Sequence, residues 1–155
     1  METALLILHG LVAVALLGAT THQALAAWAP SGAQPHSFFG RFRAVRGAKF
    51  ADAIVVLYVV SALLGSVVVY PYFKVDVQPG LELDRHWQAL GLFDLKEDFV
   101  AIGLGLLPAY WVSWRRPPPE ERGQTRAALT ALLTFVAWWS FVIGHVVNDI
   151  RGFGS

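Results

Sequence analysis

The chain of 155 residues carries 12 Lys and Arg against 11 Asp and Glu and is 55% hydrophobic but only 15% charged, a balance too apolar for a soluble domain of this size. It has no cysteine and its single methionine is Met1, which excludes disulfides, thiolate metal centres, Fe–S clusters, thiol catalysis and axial haem ligation by Met or Cys. His with Asp, Glu or Tyr is left for any metal chemistry. A net charge of +1 offers no basic stripe for nucleic acid.

Four apolar segments in chain order predict an all-α integral membrane protein, with four transmembrane helices in one antiparallel bundle that occupies residues 1–155 as a single domain. The expected spans are about 4–28, 51–73, 95–115 and 126–148, each set by an uncharged run, because charge is what the bilayer centre rejects most strongly. The first holds HGLVAVALLGATTHQ, a stretch that begins with His9, nearly ends with His22 and has no Asp, Glu, Lys or Arg. Met1, Glu2 and Thr3 provide no positive n-region, so this segment reads as a helix of the mature protein rather than a signal peptide. The second span is bounded by Asp52 and Lys74, the fourth by Arg126 and Asp149. The third is the short one: Phe99 to Trp114 is uncharged, but Asp94, Lys96, Glu97 and Asp98 precede it and Pro108 interrupts it. Trp111, Trp114, Arg115 and Arg116 give it an interfacial end.

The connections PSGAQPHSFFGRFRAVRGAK and RRPPPEERGQTR read as loops. The longest, KVDVQPGLELDRHWQALGLFDLKED, predicts a short surface helix with Leu83, Trp87, Leu90 and Leu92 toward lipid. Arg41, Arg43, Arg46, Lys49, Arg115, Arg116, Arg122 and Arg126 fall on one side of this arrangement, and Lys74, Arg85, Lys96 and Arg151 on the other. The richer side belongs in the cytoplasm, which places both termini outward in a bacterial inner membrane.

That topology puts His9 in the first helix and His145 in the fourth at one outer depth, together with Glu97, Asp98, Asn148 and Asp149, and with Tyr70, Tyr72 and His86. Four explanations of the two imidazoles compete. Each ring bonds a neighbour near the interface; both hold a b-type haem; both join Glu97 or Asp98 around a non-haem metal; or they serve a quinone or proton-relay site without metal. Gly10, Gly65, Gly103, Gly105 and Gly144 would open a slot for a flat cofactor, or simply let helices pack closely. Trp138 and Phe141 precede His145 on its helical face and would cover a porphyrin. His22 lies about 20 Å along the helix from His9 and points about 140° away, which sets it apart from this pair.

HVVNDIR, from His145 to Arg151, resembles the stretch around the haem-ligating histidine in the cytochrome b membrane anchor of succinate dehydrogenases. There a His, then an Asn or similar residue, then Ile-Arg follow at the same offsets; Asp149 and Gly152 stand in place of that pattern's Gly and second His. The resemblance implies that His145 is an axial ligand of haem b and that Arg151 pairs with a propionate. The expectation from sequence is thus a small haem b or quinone-linked electron-transfer protein or membrane-anchor subunit. Its partners would be lipids, other membrane subunits or further copies of the chain, and quinone. The alternative is a non-catalytic structural or assembly subunit of a larger membrane complex. Nothing marks a self-contained enzyme, since no nucleophile or strict metal motif is present.

Overall fold

The computed structural model describes residues 2–28, 36–43, 47–116 and 122–150, which form helices joined by short connections, with no strand among them. The helices are α1 (Glu2–Trp28), the short α2 (Phe38–Arg43), α3 (Gly47–Leu83), α4 (Trp87–Arg115) and α5 (Arg122–Ile150). Of the four long ones, α1, α3 and α5 are long and apolar enough to cross a membrane, as a multi-pass membrane protein requires. Their outward residues, such as Leu11, Val56, Leu63, Phe135 and Val142, are exposed and would lie against lipid. α1 packs on α3 and α5, and α4 packs on the same two.

The middle of the chain departs from the sequence expectation. No separate surface helix links the second and third spans; α3 runs on to Leu83, Asp84 to His86 form a turn, and α4 begins at Trp87. The third helix is therefore not short: it has 29 residues. Leu83 and Trp87 are 81% and 60% exposed, whereas Leu90 and Leu92 pack into the interior.

The sequence of α3 explains its length. Pro71 and Pro79 each lack an N–H, and a proline ring inside an α-helix crowds the carbonyl four residues back, here Val67 and Val75. Both carbonyls lie in widened π turns, Gly65–Val69 and Phe73–Val77, where Tyr70 N–H reaches Gly65 O and Gln78 N–H reaches Phe73 O. The wider turns also steer side chains. Residues four apart on an α-helix drift by about 40° per step, yet Val69, Phe73, Val77 and Leu81 remain inward-facing, the last three buried.

Two apolar clusters fill the interior. One gathers Leu16, Leu17, Ala51, Ile54, Tyr58, Leu107, Tyr110, Leu133 and Val136; the other gathers Phe73, Val77, Leu81, Ala89, Phe93, Ile143 and Val147. A polar layer runs beside the first and fixes helix register. Gln23 Nε2 donates to Gly47 O at 3.2 Å, Trp114 Nε1 to Thr130 Oγ1 at 3.1 Å, Thr134 Oγ1 to Thr20 O at 3.1 Å and Trp138 Nε1 to Thr21 Oγ1 at 2.9 Å. Such bonds hold helices together where lipid removes the hydrophobic driving force between them. At one edge Asp52 ties α3 to α4, accepting from Arg115 at 2.7 Å and from Trp111 Nε1 at 2.7 Å.

Candidate functional site: a cavity between two cores

The two apolar clusters do not merge. Between them lies a cavity of about 310 Å³, walled by Leu16, Tyr58 and Val136 of the first cluster and by Phe73, Phe93 and Val147 of the second. That volume is at the lower end of the range for small-molecule sites, which are mostly apolar with a few converging polar groups. Here the polar groups come from all four long helices: His9 on α1, Tyr58, Ser61, Ser66 and Tyr72 on α3, Lys96 and Glu97 on α4, and Ser140, His145 and Asn148 on α5.

His9 and His145 thus open on the same cavity, and Glu97 and Asn148 share its wall. Asp98 and Asp149 do not line it and are exposed, and His86 is exposed on the turn before α4. Arg151 lies outside the described residues. His22 stands apart, its ring 4.5 Å from that of Phe50 and tilted by 32°.

The two imidazoles are held differently. His145 Nδ1 lies 2.9 Å from the carbonyl oxygen of Phe141, one turn back, and the Phe141 ring centroid is 4.2 Å from its own. A ring that donates from Nδ1 keeps Nε2 as its lone-pair nitrogen. His9 is half-buried, with the Lys96 and Glu97 charges within its field. Its Nδ1 is buried without a hydrogen-bond partner, and the same holds for Ser140 Oγ.

Lys96 and Glu97 form an ion pair at 2.7 Å with side chains only 14% and 33% exposed, and the Lys96 ammonium sits 4.3 Å from the centre of the Phe93 ring. A charge pair facing an apolar cavity is expensive to desolvate, so in a membrane protein it points to function before stability. Glu97 is engaged by this lysine, and among the described residues no three His, Asp or Glu side chains stand close enough to share a metal ion. That lends no support to a non-haem metal held by His9, His145 and Glu97 or Asp98.

Among the wall residues that were not anticipated are Lys96 and Ser140. Lys96 belongs to an inward stripe of Ala89, Phe93, Val100, Gly103, Leu107 and Tyr110, and Ser140 to one of Leu133, Val136, Ala137, Ile143 and Val147. Both stripes repeat at three or four residues, and that helical period would have placed Lys96 and Ser140 inside. Comparison of the chain with family models, with curated proteins and with solved structures returns no match, so its function has to be read from this cavity.

Proposed function

We propose that the chain is a small integral membrane electron-transfer protein, or the membrane-anchor subunit of one, and that its cavity seats the head group of a quinone. One observation carries this reading: His9 Nδ1 on α1 and Ser140 Oγ on α5, both buried and unpartnered, belong to residues that line one otherwise apolar cavity. A buried polar atom with no partner costs about 1–3 kcal/mol. A neutral ring with a hydrogen-bonding oxygen at each end gives both atoms a partner. Glu97 adds a protonatable carboxylate at the wall, and quinone reduction takes up protons.

A second reading is favoured by the bond between His145 and the Phe141 carbonyl. Metal-bound imidazoles commonly donate their other N–H to a backbone carbonyl in this way, which suits a b-type haem held between His145 and His9. Gly10, Gly65 and Gly144 on the cavity wall leave room for a flat group, and Arg151 is the propionate partner that the sequence resemblance implies. In both readings the four long helices stand antiparallel with α4 as a fourth span. The cavity and both termini then lie toward the outer face of a bacterial inner membrane, and other membrane subunits or a second copy meet the exposed helix faces.

Absorption and quinone binding of the purified protein decide between these readings. Saturable quenching of tryptophan fluorescence by decylubiquinone, weakened roughly 5- to 150-fold in His9→Ala by loss of one buried hydrogen bond, supports the quinone site. A bis-histidine haem spectrum that disappears in His9→Ala and in His145→Ala supports haem b instead. Absence of both leaves the structural or assembly subunit.

A further inference from the structure

We infer that the ligand enters this cavity sideways from the hydrocarbon, through the seam between α1 and α5, and that Gly10 and Gly144 frame the port. The inference rests on the cavity being a quinone site and adds where the isoprenoid tail runs.

The seam is closed at one end and open at the other. Thr134 bonds the Thr20 carbonyl and Trp138 bonds the Thr21 hydroxyl, which locks α1 to α5 over that stretch. Ten residues before Thr20 and ten after Thr134 stand Gly10 and Gly144. Both line the cavity, and a Cβ added to either would meet nothing within 4 Å. Four residues of the cavity wall are exposed, Gly10, His145 and Asn148 on α1 and α5 and Ser66 on α3, so three of the four places where the cavity meets the surface lie beside this seam. The facing wall is shut: Tyr58 bonds the Val100 carbonyl at 3.2 Å, and Phe73 stacks on Phe93 at 3.5 Å and 6°.

Charge narrows what can pass. Lys96 is the only cation among the described residues of the wall and is already matched to Glu97 at 2.7 Å. An anionic phosphate head would arrive with an uncompensated charge in a low-dielectric site, whereas a neutral head on a hydrocarbon tail would not. Trp138, Phe141 and His145 run along the α5 edge of the seam with successive ring separations of 6.4 and 4.2 Å, an aromatic rail for a flat ring.

The test uses the full chain in lipid nanodiscs and two probes, decylubiquinone and the tail-free dimethoxymethylbenzoquinone. Gly10→Leu and Gly144→Leu are expected to weaken decylubiquinone binding by roughly tenfold or more through a steric clash and to leave the tail-free quinone within about twofold. Gly10→Ala and Gly144→Ala should bind both as wild type does. Leu variants that bind both probes normally, or lose both equally, overturn the port. Should the Leu variants not fold, Gly144→Cys provides a second reading in a chain without native cysteine. Decylubiquinone should protect that thiol from an apolar maleimide, and no protection overturns the port as well. If wild type binds neither probe, the quinone reading itself falls; if wild type binds and only the port variants behave as wild type, the port alone falls.

Discussion

α3 and α4 approach closely at Gly103, where an added Cβ would collide with the hydroxyl and ring of Tyr58. Tyr58 is buried, bonds the Val100 carbonyl and forms part of the cavity wall. In Gly103→Ala the ring has to move. Overpacking costs about 1–3 kcal/mol, loss of the Tyr58 hydrogen bond about 1 kcal/mol, and alanine returns about 1 kcal/mol of helix propensity. The net destabilisation is about 1–3 kcal/mol, or roughly 2–4 °C of melting temperature per kcal/mol. In a Tyr58→Leu background neither the collision nor the hydrogen bond exists, so the same alanine should stabilise by about 1 kcal/mol. A double-mutant cycle followed by circular dichroism in detergent should therefore give a coupling of about 2–4 kcal/mol. Additive effects, with Gly103→Ala costing the same in both backgrounds, would refute the claim that helix approach is limited here by one ring.

The ion pair on the cavity wall predicts an asymmetry: Lys96→Met should destabilise by several kcal/mol because it strands Glu97, whereas Lys96→Met combined with Glu97→Leu should melt close to wild type. A cost of the double replacement equal to that of the single one would contradict this. Arg115→Ala, which breaks a pair whose side chains are 47% and 40% exposed, should lower stability by no more than about 1 kcal/mol, and high salt should shrink that difference. Because the chain lacks cysteine, His86→Cys and Gln124→Cys report topology: an impermeant maleimide added to intact cells should label the first and not the second, and the opposite pattern would invert the orientation. His22→Ala should leave quinone binding unchanged, since that ring packs on Phe50 away from the cavity; a loss of binding comparable to that of His9→Ala would place it in the site.

The uncharged runs made α1, the first half of α3 and α5 legible, because hydropathy over about 20 residues is a sufficient signal for a span. The far half of α3 was not legible. Lys74 reads as its end, and only the widened turns reveal how the helix accommodates Pro71 and Pro79 and runs on. α4 was underestimated for a related reason: the charges at Asp94, Lys96, Glu97 and Asp98 set its expected start near residue 95 and left out the turns from Trp87 that carry Ala89 and Phe93 inward. Chain order alone placed His9 and His145 at one depth. Side-chain direction within each turn is what separates Glu97 and Asn148, on the wall, from Asp98 and Asp149, outside it, and depth cannot resolve that.

The second apolar cluster is built from α3, α4 and α5 and contains no residue of α1. Along its first turns α1 instead exposes Ile7, Leu8, Leu11 and Val14 and borders the cavity through His9 and Gly10. Its two ends are thus anchored differently: the half that carries Thr20 and Gln23 is bound into the core, while the half that carries His9 borders the cavity. Such a segment opens at a free energy well below that of global unfolding. Backbone amides near His9 should exchange with solvent deuterium sooner than those near Gln23, and α3, α4 and α5 can complete their shared block during membrane insertion before the start of α1 is secured.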